Sequence, residues 1–191
     1  MAGEDQEGAG YMKNSYEIRG EVTVIFIKRN DGSVFKTFID TVDLEKACSF
    51  PNSWRVKHDK ATGQFYVQGN IQKGSVIGSI SLHRWLMDDP CGYEVDHKDS
   101  NPLNNRRSCN LRKVTKAQNA QNRRGPQRNN GSSGVRGVTW HKVARKWMVQ
   151  VKAGPKKLYG GVFEELETAE RAAIALRKMH MPFSHERVVD S

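Results

Sequence analysis

The chain has 191 residues and a formal net charge of +10 at neutral pH, with 37% hydrophobic and 27% charged side chains. That length suits two or three short modules better than one large core. No apolar run approaches the ~18–20 residues that cross a bilayer, and the acidic, glycine-rich start (Met1 to Gly10) does not read as a signal peptide, so an intracellular protein is expected. Cys48, Cys91 and Cys109 are widely spaced with no CxxC pair, which argues against a disulfide framework or a four-cysteine zinc staple.

In chain order, a disordered tip over residues 1–15 is followed by a small α+β module over 16–81. Tyr16 to Arg29, rich in β-branched residues, reads as a strand. Asn30-Asp31-Gly32-Ser33 gives a turn and Val34 to Ile39 a second strand. Thr41 to Ser49 reads as a short helix. Trp54–Lys57 and Gln64–Gln68 form a hairpin, Ser75–Ile80 another strand, and Leu82–Met87 a helix stopped by Asp88-Asp89-Pro90. This first part offers no catalytic grouping and is read as a scaffold or an accessory DNA clamp. A compact segment over 82–124 follows, then a Gly/Ser/Asn-rich linker over 125–134. Val135–Trp140, Lys146–Lys152 and Lys156–Phe163 alternate like three strands. From Leu166 to Met179 a helix carries the apolar stripe Leu166, Ala169, Ala172, Ala173 and Leu176. These elements make a domain over 135–183 with a tail over 184–191.

Charge is strongly segregated. Between Asn101 and Phe163 there is no Asp or Glu but fifteen Lys and Arg, and the remainder is slightly acidic. A stretch of one sign repels itself, so a polyanion is the natural partner.

The chemistry-bearing residues lie in the compact segment. Asp96 offers a hard anionic oxygen and His97 a base that titrates near neutrality. Neighbouring strand residues point to opposite faces, so both serve one site only if the backbone bends there. Thr115 is a candidate helix N-cap, which places Asn119 on the first helical turns. One carboxylate and one amide oxygen make a poor zinc cage and suit Mg²⁺, which completes its shell with water and phosphate oxygens. Phosphodiester hydrolysis is a coherent reaction for such groups.

The run Glu94-Val95-Asp96-His97-Lys98-Asp99-Ser100-Asn101-Pro102-Leu103-Asn104-Asn105-Arg106, with Asn110-Leu111-Arg112 and Gln118-Asn119, resembles the His-Asn-His (HNH) nuclease family in its phage homing-endonuclease form. Leu82-His83-Arg84-Trp85-Leu86-Met87 is similar to the lead-in of those proteins. The resemblance implies Asp96 and Asn119 as metal ligands, His97 as general base, and Asn110 as the brace that positions the histidine. It implies a ββα-metal core, a hairpin and helix gripping one ion, with the helix in the minor groove of duplex DNA. Mg²⁺ is the expected ion, with Mn²⁺ able to substitute. His83 is expected to be a packed histidine rather than a catalytic one.

Further on, Val135-Arg136-Gly137-Val138, Lys146-Trp147, Tyr159-Gly160-Gly161-Val162-Phe163 and Glu167-Thr168-Ala169-Glu170-Arg171-Ala172-Ala173 resemble the Apetala2-type DNA-binding domain. By that resemblance Arg136, Thr139, His141, Gln150, Lys152, Lys157 and Tyr159 contact DNA; Trp147 and Phe163 are read as sheet–helix core rather than base contacts. Arg106, Arg112, Lys116 and Arg123 in the nuclease segment are also expected at DNA. The combined expectation is an α+β protein, a Mg²⁺-dependent homing-type endonuclease that nicks duplex DNA as a monomer, without membrane association, in the cytoplasm of a bacterial host if phage-encoded. The rivals are a non-enzymatic DNA-binding regulator and an RNA binder or RNA-cutting nuclease, the latter disfavoured because the RNA major groove is too narrow to read.

Overall fold

The structure, a computed structural model, describes residues 12–60, 62–122, 125 and 130–184. The tip up to residue 11, Arg123, residues 126–129 of the expected linker and the tail beyond residue 184 lie outside the described residues. The fold is α+β, with several small sheets and few helices. Contacts divide the chain into two compact units between Lys113 and Val114. The expected N-terminal module and most of the segment after it therefore belong to one unit.

In the first unit, β1 (Tyr16–Arg19), β2 (Val22–Lys28) and β3 (Val34–Asp40) form an antiparallel sheet in sequence order. The single strand expected over Tyr16–Arg29 is thus a hairpin. Arg19 pairs with Val22, and Gly20 turns the chain at φ 60°. β-branched flanks favour extended backbone, but one glycine within them permits a left-handed turn at little cost. The next turn forms where expected, with Asp31 Oδ1 accepting from the Ser33 backbone N–H at 3.0 Å. One 3-10 turn (Thr41–Asp43) and α1 (Leu44–Cys48) replace the single helix expected there.

A second antiparallel sheet holds β4 (Arg55–Asp59), β5 (Gln64–Lys73) and β6 (Val76–Ser81), with β5 running well past its expected end, and α2 (Leu82–Leu86) follows directly. Ile25, Ile27, Ile39, Trp54, Val67, Leu82 and Leu86 are buried in one core. Phe50 stacks on Trp54 with ring centroids 4.0 Å apart. Burial of such side chains, worth roughly 1.5–3 kcal/mol each, ties the two sheets and α2 into one body. Two aspartates with left-handed backbone end α2, Asp88 at φ 60° and Asp89 at φ 43°. Arg84 fixes the exit by donating to Asp89 Oδ1 at 2.6 Å and to the Tyr93 carbonyl at 3.0 Å. Then β7 (Glu94–His97) pairs with β8 (Leu111–Val114) in a two-stranded sheet whose last residue crosses into the second unit.

The second unit opens with α3 (Lys116–Asn119), one turn long and continued by a 3-10 turn over Ala120–Asn122. β9 (Val138–His141), β10 (Lys146–Ala153) and β11 (Lys156–Phe163) form an antiparallel sheet in the order β11-β10-β9, and α4 (Leu166–His180) packs on it. β9 begins later than expected because Gly137, at φ 83°, turns the chain before it. The helix stripe lies where its periodicity predicts. Ala169 and Ala173 are fully buried, and Leu166, Ala172 and Leu176 pack beside them against Val138, Val149, Trp147 and Phe163.

Candidate active site and basic sheet

The segment that joins β7 to β8, residues 98–110, is a long loop held mainly by its asparagines and by β3. The Asn110 side chain bridges its two arms. Oδ1 accepts from the Asp99 backbone N–H at 2.9 Å, and Nδ2 donates to the Asn104 carbonyl at 2.6 Å. Asp99 takes the Asn101 N–H at 2.7 Å and Asn104 Nδ2 at 2.8 Å. Short polar side chains that bond nearby backbone let such a loop hold a shape without strands.

β3 supplies the rest. Phe38 makes a parallel bridge to Asn104, its N–H donating to the Leu103 carbonyl at 3.0 Å and its carbonyl accepting from Asn105 N–H at 2.7 Å. Asp40, 6% exposed, accepts from the Ser108 N–H and hydroxyl, each at 2.7 Å, and from Arg106 Nε at 2.9 Å. Burial works against the charge of Asp40, but the two Ser108 bonds and Arg106 outweigh it and hold the carboxyl below its ordinary range. Asp43, 2% exposed, takes the Arg107 fork at 2.9 and 2.6 Å. Buried carboxylates are tolerable only with such partners. The first part of the chain, in which sequence reasoning found no site, is the bed on which the loop is laid.

His97 closes β7 and is buried beside Asp96. Its Nε2 lies 3.2 Å from Oδ1 of Asn105, a residue with no solvent exposure. The Asn105 amide is oriented by its other end. Nδ2 donates to Thr37 Oγ1 at 2.8 Å and to the Pro102 carbonyl at 3.2 Å, and a carbonyl can only accept. Oδ1 therefore faces the imidazole, so Nε2 carries the proton and Nδ1 the lone pair. Thr37 completes the chain of bonds by donating to the Leu103 carbonyl at 2.8 Å. Burial lowers the His97 pKa, opposed by the Asn105 bond and by the charges of Asp99 and Asp96, which favours the neutral ring that a base requires. Asn105 was absent from the site expected from sequence.

His83 on α2 packs edge-to-face on His97, centroids 4.8 Å apart. Burial, with the charges of His97 and Arg84, lowers its pKa to about 3, so it stays neutral. Among the described residues, its Nδ1 and the buried Oδ1 of Asn104 meet no hydrogen-bond partner.

Asp96 is paired across the hairpin. Arg112 on β8 brings both Nε and Nη2 to Asp96 Oδ2, at 2.8 and 2.7 Å. Asn119 lies in the second unit as the last residue of α3, its backbone N–H bonded to the Thr115 carbonyl at 2.9 Å. Thr115 caps that helix in a reciprocal box with Gln118, the two bonds measuring 3.2 and 2.9 Å. Among the described residues no group of three or more His, Cys, Asp or Glu could hold a metal ion. Asp96 and Asn119 fall in different units, and by chemistry alone a carboxylate and an amide oxygen are donors that a hard divalent ion accepts. Lys116 is exposed on α3, whereas Arg106 has its guanidinium on Asp40.

In the second unit the strand register sorts the expected DNA contacts. Met148 pairs with Thr139 and Val162, Gln150 with Tyr159, Lys152 with Lys157, and Lys146 with His141. Val138 and Val149 point into the core beneath α4, so by alternation Thr139, His141, Gln150, Lys152, Lys157 and Tyr159 share the opposite face. Arg136 precedes β9, and its Nη1 donates to Ser184 Oγ at 3.2 Å. An open cleft of about 490 Å³ is lined by Arg136, Thr139, Gln150, Lys152, Lys157 and Arg177, and none of the described residues that line it is acidic.

A family model described as HNH endonuclease matches residues 89–121, from the turn after α2 into the 3-10 turn after α3. Protein 3.8 of Escherichia phage T7 is 33% identical over 98 residues, covering 51% of this chain and 78% of that protein. No solved structure matches the chain.

Proposed function

Because the chain belongs to the family of phage T7 Protein 3.8 and carries an HNH endonuclease segment, we propose that it is a homing-type endonuclease that hydrolyses one strand of duplex DNA per engagement as a monomer. The observation that carries this reading is the buried His97, whose Nε2 proton is committed to Asn105 and whose neighbour in sequence is Asp96. Nδ1 of His97 is the base. It takes a proton from water as the water oxygen bonds to phosphorus, and the bond from phosphorus to the 3′ oxygen breaks. The departing oxygen takes a proton from solvent water, so the product ends are a 5′ phosphate and a 3′ hydroxyl.

Asp96 and Asn119 are the residues that would hold the divalent ion of this ββα-metal core, and their hard oxygens favour Mg²⁺, with Mn²⁺ as a substitute. Such an ion, when bound, stabilises negative charge on the phosphate and on the departing oxygen. Asn110 braces the loop that presents His97.

On this reading the second unit acts as an Apetala2-type module that lays its sheet on DNA. Arg136, Lys152 and Lys157 neutralise phosphates, while Thr139, His141, Gln150 and Tyr159 reach base edges. Arg112 and Lys116 are further candidates for phosphate contact, as is Arg123 on sequence alone, whereas Arg106, also expected at DNA, is held by Asp40. No helix among the described residues is long and apolar enough to cross a membrane.

Incubation with supercoiled plasmid and Mg²⁺, followed by run-off mapping of the nicked strand, tests the reading. His97→Ala should lower cleavage by about 10²–10⁴ and leave duplex affinity nearly unchanged. Cleavage that persists in that variant removes the base assignment. Tight binding with no metal-dependent cutting by the unaltered protein favours the DNA-binding regulator.

A further inference from the structure

Arg112, one of the expected DNA contacts, touches a residue of the proposed metal site. It lies on β8 with its side chain 19% exposed and sends two nitrogens to a single oxygen of Asp96, which is 8% exposed. Two loop arginines with buried aspartate partners, Arg106 and Arg107, bond to Asp40 at the end of β3 and to Asp43 in the turn after it, neither of which is assigned a part in the reaction. Arg112 thus already occupies a carboxylate that the reading above gives to a divalent ion.

A buried carboxylate needs a cation beside it. In the protein without metal the guanidinium meets that need and fixes the carboxylate on the β7 side of the hairpin. An incoming divalent ion meets the same need with twice the charge and repels the guanidinium at close range. Arginine is suited to the exchange. Its planar fork binds carboxylate and phosphate equally well, and it keeps its charge throughout. A guanidinium displaced from Asp96 needs another anion, and a DNA phosphate is one that its fork fits.

We propose that Arg112 is a positioning residue that pairs with Asp96 until a divalent ion takes the carboxylate, and that the freed guanidinium then holds a phosphate oxygen of the DNA. The proposal rests on the reading of Asp96 as a metal ligand, and it makes metal binding and phosphate capture one linked event. In the absence of DNA the exchange works against the ion, because the guanidinium leaves a good partner for water. With DNA present that loss is repaid, so DNA and metal each tighten the other's binding.

The test uses the full chain, with Mn²⁺ as the probe in titration calorimetry without DNA. Arg112→Gln should bind Mn²⁺ about tenfold more tightly than the unaltered protein, since the competing cation is gone. Arg112→Lys, which keeps the charge and loses the fork, should fall between the two. Both variants should need more DNA to reach half-maximal cleavage at saturating Mn²⁺. A second measurement needs no substitution. Mn²⁺ should raise the rate at which phenylglyoxal modifies Arg112 several-fold, read by peptide mass spectrometry, and duplex DNA should then suppress it. Mn²⁺ affinity that is unchanged or weaker in Arg112→Gln, or an Arg112 modification rate indifferent to Mn²⁺, overturns the exchange while leaving Asp96 as ligand. Mn²⁺ binding that survives Asp96→Asn undiminished overturns the ligand reading, and the exchange with it.

Discussion

At the scale of single residues, the site depends most on a side chain that does no chemistry. Asn105 fixes which nitrogen of His97 holds the proton, and Thr37 and the Pro102 carbonyl in turn fix Asn105. Asn105→Ala frees the imidazole to adopt the other tautomer and leaves buried partners unsatisfied. It should lower kcat by roughly 10²-fold with little change in KM for DNA, and destabilise the fold by about 1–3 kcal/mol. Steady-state kinetics beside urea denaturation measures both, and an unchanged kcat would show that the tautomer is set elsewhere. The Asp96-His97 pair, Asn110 and the Thr115 cap were legible in the sequence because each belongs to one short segment with recognisable spacing. Asn105 was not, because its orienting partner Thr37 lies 68 residues away, and a second asparagine in an asparagine-rich loop carries no local mark of burial.

At the scale of elements, alternation identified β10 and β11, and helical periodicity identified α4, yet neither revealed how closely they meet. Val149 pairs with Gly161 and Gln150 with Tyr159, so Gly160 is an extra residue in β11. A Cβ built on it would sit 2.5 Å from Leu176 Cδ1 and 2.6 Å from Val149 Cγ1. The bulge lets the helix rest on the backbone of β11 there. Gly160→Ala must push α4 away, at a cost of about 1–3 kcal/mol. Thermal melting should show a lower midpoint for the variant, and DNA affinity should fall with it if the sheet is the binding face. The missed turn at Gly20 has the same origin, since composition registers what a strand is made of more readily than where one residue bends it.

At the scale of the whole molecule, the acid-free stretch overstates the charge on offer to a polyanion. Asp40, Asp43 and Asp96, all outside it, take Arg106, Arg107 and Arg112. Lys152 and Lys157, cross-strand neighbours on the face away from α4, line a cleft in which none of the described lining residues is acidic. If each neutralises one phosphate, Lys152→Gln with Lys157→Gln should flatten the plot of log affinity against log salt by about 1.8. Cleavage at saturating DNA should be unchanged. Fluorescence anisotropy over a range of NaCl gives the slope, and an unaltered slope would place the DNA on another surface.

The laying of the 98–110 loop on β3 also bears on how such a protein can be recombined. An excised piece running from β7 through α3 would carry every residue that spacing marks as functional. It would still leave Asn105, Arg106, Arg107 and Ser108 without Thr37, Asp40 and Asp43. The transferable cassette in this chain therefore begins with the strand that ends at Asp40, and a chimera joined any later inherits the motif without its foundation.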